Sequence, residues 1–114
     1  MLMKRISMLV LKTHFDALPK NELILDVRTV GEFASGHVPN AKNIPLDVVM
    51  NHAEELKPFD TVYVHCAAGR RSQAACEILT TLGLENLICV DEGGFLDWEE
   101  AGYPSVRTLE KSRT

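Results

Sequence analysis

Short runs of apolar residues alternate with stretches of helical periodicity along most of this 114-residue chain. Three of the runs are almost continuously apolar, β-branched or aromatic, which is typical of strands buried on both faces. They cover residues 23–27, 61–65 and 87–90. A shorter strand is predicted at residues 42–45, after a turn at residues 37–41. Buried strands separated by helical stretches favour a parallel sheet with crossover helices.

Four stretches between or after the strands place apolar residues at helical spacing, with a helix-breaking residue at one end. They cover residues 30–35, 46–56, 72–82 and a final stretch that carries Phe95 and Trp98. Ser72 is expected to cap the third of these helices, and Gly83 to end it. Phe95 and Trp98 are predicted to lie in the core.

The first segment of the chain fits an edge strand at residues 8–11 followed by a short helix at residues 12–18. The predicted fold is therefore α/β, with a mostly parallel sheet of four or five strands and helices on both faces. A single domain is expected over residues 7–107. Residues 1–22 supply an N-terminal strand and helix of this domain, and residues 108–114 form a polar tail.

Composition narrows the class of protein. The apolar share of 46% and the charged share of 25% are those of an ordinary soluble domain. The formal net charge of −4 argues against a nucleic-acid-binding protein, which needs a basic face. No run approaches the ~18 apolar residues of a membrane span, and the apolar N-terminal stretch is shorter than a secretory signal core. We therefore expect a cytoplasmic protein with neither nucleic-acid nor membrane partners.

Three cysteines, Cys66, Cys76 and Cys89, occur without the C-x-x-C spacing of a zinc or thioredoxin-type site. An odd number of cysteines at this spacing does not suggest a disulfide framework, and free thiols fit a reducing compartment. Cys89 lies in an apolar strand and is expected to be buried and inert. Cys76 is expected to be a packed small residue, with a resolving thiol for an oxidised Cys66 as the alternative.

Cys66 is the main candidate for chemistry, because it stands between a predicted strand and a predicted helix. Unpaired backbone N–H groups and the positive end of a helix dipole favour a thiolate at such a position, and the thiolate is the reactive form. We expect Cys66 to be a nucleophile in an anion-binding loop. The residues expected to bind the anion are Ala67, Ala68, Gly69, Arg70, Arg71 and Ser72. Arg70 or Arg71 is expected to attract an anionic substrate, with Arg71 preferred because it is closer to the helix.

Other polar residues near this loop are predicted to be structural. Asp26 is expected to cap local N–H groups at the end of its strand, and Arg28 to pair with Glu32 four residues later. His37 is expected to form hydrogen bonds in a turn. His65 is expected to be structural as well, because strand alternation directs it away from Cys66.

Several short motifs together resemble the single-domain rhodaneses, over about residues 23–104. They are Asp26-Val27-Arg28, Glu32-Phe33, Gly36 to Ala41, Asn43-Ile44-Pro45, Cys66 to Ser72, and Gly93-Gly94-Phe95 with Trp98. The resemblance implies a rhodanese-like domain with sulfurtransferase activity. Cys66 would take a sulfane sulfur from a donor such as thiosulfate, hold it as a persulfide stabilised by the loop amides, and pass it to cyanide or a thiol. No cofactor is implied.

Three alternatives remain open from the sequence. A cysteine-dependent phosphatase or arsenate reductase is disfavoured, because Ser72 stands where the His-Cys-x-x-Gly-x-x-Arg motif requires arginine. A non-catalytic rhodanese-like binding module is disfavoured, because Cys66 is present. A sulfur carrier that serves one protein acceptor is not distinguished from a free enzyme.

Overall fold

A computed structural model describes residues 3–108 of the chain. Within these residues, five parallel strands form one sheet with the spatial order β1-β5-β4-β2-β3. The strands are β1 (Lys4–Ser7), β2 (Glu22–Asp26), β3 (Lys42–Asn43), β4 (Thr61–His65) and β5 (Leu87–Glu92). Because all strands are parallel, their carboxyl ends lie at one edge, and β4 is central in that edge.

Helices cover both faces of the sheet and confirm the predicted α/β class. They are α1 (Met8–Phe15), α2 (Val30–Ser35), α3 (Ala53–Leu56), α4 (Arg70–Thr81) and α5 (Phe95–Glu100). One core lies between the sheet and α4, and a second lies between the sheet and the α1–α5 pair. Alternation along β4 divides its side chains between the two, with Val62 and Val64 in the first core and Tyr63 in the second.

The prediction for the first segment places its strand and its helix about four residues too late in the chain. Residues 8–11 belong to α1, and the edge strand is β1, which pairs with β5 through Lys4, Arg5 and Ile6. Ser7 caps the helix, because its Oγ accepts the Val10 N–H at 3.1 Å. Met8 and Leu11 are fully buried, so their three-residue spacing reflects the inward face of a helix.

Two helix predictions need correction. Residues 46–56 are helical, but Leu46–His52 is a 3-10 segment and only Ala53–Leu56 is α-helix. The predicted apolar positions Val49, Ala53 and Leu56 are nonetheless buried. Ser72 does not cap α4: the helix begins two residues earlier, and Gly69 occupies its N-cap position without a side-chain hydrogen bond.

The remaining boundaries agree closely with the sequence pattern. Gly36 ends α2, and α5 follows Gly94 with Phe95 and Trp98 buried as predicted. Thr108 donates its amide to Ala34 O at 3.0 Å, and residues 109–114 of the predicted tail lie outside the described residues. Across residues 3–108, none of the helices has the length and apolar character that a membrane span requires.

Candidate active site

Cys66 follows the central strand β4 at the carboxyl edge of the sheet and is 1% exposed. Two backbone amides of the following loop donate to its sulfur, Gly69 N at 3.1 Å and Ser72 N at 3.3 Å. The loop therefore curls around Sγ and presents positive partial charge to it. This arrangement stabilises negative charge on or beside the sulfur.

Gly69 makes this curl possible. Its φ of +117° belongs to a region that L side chains rarely adopt, and a Cβ there would overlap the Asp91 carbonyl of β5. The loop therefore passes against the backbone of β5 before α4 begins. Any side chain at this position would push the Gly69 amide away from Cys66.

The Ser72 hydroxyl completes the inner side of the loop and is fully buried. Its Oγ lies 3.6 Å from the Cys66 sulfur and accepts a hydrogen bond from the thiol. The hydroxyl in turn faces the carbonyls of Gly69 and Val90, each at 2.9 Å. Ser72 thus joins the sulfur, the loop and β5 in one hydrogen-bond network.

The outer side of the loop is held by the start of α5. Phe95 N donates to Cys66 O at 2.8 Å, and Leu96 N donates to Ala67 O at 3.2 Å. Gly94 approaches so closely that a Cβ would overlap the backbone of Cys66 and Ala67. The role of these α5 amides is not predicted from the sequence, although the Gly-Gly pair after a buried strand indicates a close backbone approach.

Arg71 and Glu32 form a two-pronged ion pair beside the loop. Arg71 Nη1 lies 2.6 Å from Glu32 Oε1, and Nη2 lies 3.0 Å from Oε2. Hydrogen bonding from Arg71 lowers the pKa of Glu32 to about 2, and the same bond raises the pKa of Arg71. The predicted pair between Arg28 and Glu32 is wrong. Glu32 instead caps α2 through Thr29 and faces α4 across the site.

Arg28 binds Asp26 instead, and both side chains are buried. The Asp26 carboxylate accepts the Arg28 backbone N–H at 2.9 Å and the guanidinium Nη2 at 2.8 Å. The predicted capping role of Asp26 is therefore confirmed, with an ion pair added. Arg28 also donates to Gly36 O at 2.7 Å and lies 4.4 Å from the centre of the Phe95 ring. This pair connects the end of β2 to α5 beneath the loop.

The two histidines near these residues are both buried. His37 stacks on Phe33 and its Nδ1 lies 2.7 Å from Phe33 O, which is the structural hydrogen bond predicted for the turn. His65 Nδ1 lies 3.2 Å from Cys66 O. Burial lowers the pKa of His65, so the ring is held in its neutral form.

Among residues 3–108, Arg70 has no ion-pair partner and its side chain is exposed. The neighbouring arginines are compensated, since Arg5 pairs with Asp91 and Arg71 with Glu32. Arg70 is therefore the uncompensated cation of the loop. The sequence placed Arg70 and Arg71 together at the site, and the long-range ion pair of Arg71 with Glu32 distinguishes them.

The other two cysteines, Cys76 and Cys89, are buried in the core between the sheet and α4, as predicted. A hydrogen bond to Cys89, together with burial, raises the pKa of Cys76. Cys76 is thus kept as a protonated, packed thiol. Within the described part of the chain, no group of three or more His, Cys, Asp or Glu side chains is arranged to hold a metal ion.

Residues 10–101 match the family model of the rhodanese-like domain. A sulfurtransferase of Allochromatium vinosum is 31% identical over 84 residues, which cover 74% of this chain and 78% of that protein. A putative sulfur carrier protein of Bacillus subtilis, YrkF, is 39% identical over 75 residues, which cover 66% of this chain. The match spans only 40% of the length of YrkF.

Comparison of the fold with solved structures also finds rhodanese-related proteins. The crystal structure of a rhodanese-related protein from Thermoplasma volcanium superposes with a TM-score of 0.76 and 36% identity, over 90% of this chain and 97% of that one. The curated relatives of this chain include a sulfurtransferase and a putative sulfur carrier protein. On the family match, the sheet order and the cysteine loop together, the chain belongs to the rhodanese-like domain family.

Proposed function

We propose that this protein is a sulfurtransferase that carries a sulfane sulfur as a persulfide on Cys66. Thiosulfate is the proposed donor, and cyanide or a thiol is the proposed acceptor. The observation that carries the proposal is the pair of loop amides, Gly69 N and Ser72 N, that donate to the Cys66 sulfur at 3.1 and 3.3 Å. Donors preorganised around a reacting atom stabilise the charge that develops there.

The reaction has two half-reactions at one sulfur atom. The Cys66 thiolate attacks the outer sulfur of thiosulfate, the S–S bond of the donor breaks, and sulfite leaves with the electron pair. Cys66 then carries the outer sulfur as an anionic persulfide. In the second half-reaction cyanide attacks that outer sulfur, the persulfide S–S bond breaks, thiocyanate leaves, and the electron pair returns to Cys66 as a thiolate.

The loop has further donors for the added sulfur. The N–H groups of Ala67 and Ala68 have no acceptor among residues 3–108. They belong to the two residues that follow Cys66 and are not occupied by secondary structure, so they are available to an anion seated on Sγ. Ala67 and Ala68 also leave space above the loop, because their side chains are the smallest that carry a Cβ.

Arg70 is the residue we assign to attraction of the anionic donor. Its charge is uncompensated in the described structure, whereas the charge of Arg71 is neutralised by Glu32. We assign Arg71 to a different role: its ion pair with Glu32 joins α4 to α2 and fixes one wall of the loop. Arg70 is exposed and long enough to move with the donor as it arrives and as sulfite leaves.

The relatives support sulfur transfer as the class of reaction. A protein acceptor is proposed as the physiological alternative to a small thiol, because one relative is a putative sulfur carrier protein and is longer than this chain. A cytoplasmic location is also proposed, on the ground that Cys66, Cys76 and Cys89 are all free thiols.

Steady-state transfer of sulfur from thiosulfate to cyanide tests this function. Wild type and Cys76→Ala are expected to be active, and Cys66→Ser is expected to be inactive because its oxygen forms no persulfide. Activity that survives in Cys66→Ser would remove the mechanism. Turnover of an aryl phosphate at a rate equal to that of sulfur transfer would favour a phosphatase, and the absence of both activities would favour a binding module.

A further inference from the structure

His65 has an unusual position for a buried histidine. It directly precedes the proposed nucleophile, it is fully buried, and its side chain lies on the opposite face of β4 from Val64. Its Nδ1 is 3.2 Å from Cys66 O. A carbonyl oxygen only accepts hydrogen bonds, so Nδ1 carries the proton and donates it.

The other ring nitrogen has no comparable partner. His65 Nε2 forms no hydrogen bond in the described structure, and its nearest charged group is Asp26 Oδ2 at 3.8 Å. That carboxylate is already satisfied by the backbone and guanidinium of Arg28. Unpaired buried nitrogens are destabilising and uncommon, so stability alone does not explain a histidine here. The Nδ1 contact is the only hydrogen bond that the ring gains within residues 3–108.

The Nδ1 contact acts on the first peptide of the loop. Cys66 O accepts two hydrogen bonds, one from His65 Nδ1 at 3.2 Å and one from Phe95 N at 2.8 Å. The peptide that joins Cys66 to Ala67 is trans, so the N–H of Ala67 points opposite to this carbonyl. Two donors that fix the carbonyl on the α5 side therefore direct the Ala67 N–H away from α5.

We propose that His65 is a positioning residue for sulfur transfer, which holds the Cys66 carbonyl so that the Ala67 N–H donates to the outer sulfur of the persulfide. The inference rests on the proposed function. It goes beyond that function because it assigns one loop amide to the transferred atom and names the side chain that aims it. His65 itself touches neither donor nor acceptor.

A matched set of substitutions tests the two ring nitrogens separately. His65→Asn keeps a donor at the position of Nδ1, whereas His65→Gln moves the donor toward the position of Nε2, and His65→Leu removes both. We expect the rate of persulfide formation from thiosulfate to fall less than about threefold in His65→Asn. In His65→Gln and His65→Leu we expect a fall of roughly 10- to 100-fold, the range for a charge-assisted hydrogen bond.

The amide NMR spectrum gives a readout that loss of stability does not imitate. The Ala67 amide proton is expected to shift downfield when wild type and His65→Asn are loaded with sulfur, and to shift little in His65→Gln and His65→Leu. Equal rates in His65→Gln and His65→Asn would overturn the inference. An active Gln variant beside an inactive Asn variant would overturn it as well, because that pattern would mean that the contact of Nε2 with Asp26 matters and the contact of Nδ1 does not.

The protonation of the His65 ring can be tested in the wild-type protein, so this test does not depend on whether a variant folds. Long-range 1H–15N spectra of the His65 ring are expected to show a proton on Nδ1, and a proton on Nε2 alone would overturn the inference. Failure of wild type to gain sulfur from thiosulfate is a separate result. It would remove the proposed function, whereas a loaded wild type with an unmoved Ala67 amide would remove only the role of His65.

Discussion

Gly69→Ala is the substitution that most directly perturbs the cysteine loop. Gly69 has a φ of +117°, and a Cβ at this position would overlap the Asp91 carbonyl. The neighbour is backbone of β5 and not a flexible side chain, so β5 has little freedom to move aside. The loop itself must shift, and the Gly69 N–H then moves away from the Cys66 sulfur.

The size of the effect follows from two contributions. A non-glycine residue in a left-handed conformation costs about 1–2 kcal/mol. Loss of a hydrogen bond to a charged group costs about 1.5–3 kcal/mol, and this part acts on the anionic sulfur. We therefore expect the variant to lose about 1–2 kcal/mol or more of unfolding free energy. Its rate of sulfur transfer should fall roughly 10- to 100-fold, because the missing amide would otherwise stabilise the proposed anionic persulfide.

Two other glycines provide matched controls. Gly102 has a φ of +77°, and a Cβ added there would meet no atom within 4 Å, so Gly102→Ala isolates the backbone cost from the overlap. Gly31 lies in α2 with open space around it, so Gly31→Ala should be neutral or slightly stabilising. Urea unfolding and thiosulfate-to-cyanide kinetics are measured for all three. If Gly69→Ala loses no more stability than Gly102→Ala and keeps its activity within about threefold of wild type, the account of the loop is refuted.

Three further predictions concern charged and titratable groups. Arg70→Ala is expected to raise KM for thiosulfate by roughly 5- to 50-fold through loss of a charge-assisted contact, with the effect diminishing at high salt; a KM that is unchanged at low ionic strength would contradict the assignment. The pKa of Glu32 falls from 4.5 to about 2 on folding, so its ion pair stabilises the protein above pH 4.5 and this contribution is lost as pH falls toward 2. The pair is about one-third exposed, so we expect less than about 1 kcal/mol, measured as the difference between wild type and Glu32→Gln in urea unfolding at about pH 2.5 and about pH 5.5. Burial lowers the pKa of His65 below 6.5, so the unfolded chain binds the proton more tightly and stability decreases as pH falls below 6.5. His65→Asn should reduce that decrease, and an identical pH profile in the variant would show that other groups cause it.

Local patterns were sufficient to predict the sheet and the position of the nucleophile. Residues 61–65 are mostly β-branched or aromatic, which is typical of a buried strand. The strand is observed at those residues. Gly36 and the Gly93–Gly94 pair indicated helix boundaries because each stands at one end of a stretch with helical spacing. Cys66 was placed at the carboxyl edge because it directly follows that strand. These features are determined by residues that are close together in the sequence, so one sequence is sufficient to predict them.

The ion pairs were not predictable in the same way. Glu32 and Arg71 are 39 residues apart, and only the crossover that sets α4 beside α2 brings them together. The i, i+4 rule suggested Arg28 as the partner of Glu32, but Asp26 is closer to Arg28 and fully buried. An unpaired buried carboxylate would be far more costly than an unpaired surface one, so burial decided the pairing. The contact of α5 with the loop was equally unpredictable, because the Phe95 amide binds the carbonyl of Cys66, which is distant in the sequence.

The central claim is that one of the three cysteine sulfur atoms, that of Cys66, carries the transferred sulfur. Trypsin separates them, since Cys66 lies in the peptide 43–70 and Cys76 and Cys89 both lie in the peptide 72–107. After incubation with thiosulfate and blocking of exposed sulfur groups with an alkylating reagent, peptide mass mapping is expected to show a gain of one sulfur, about 32 Da, on 43–70 alone. The gain should disappear when cyanide is added before blocking. An added sulfur on 72–107, or a mass for 43–70 that thiosulfate leaves unchanged, would contradict the account.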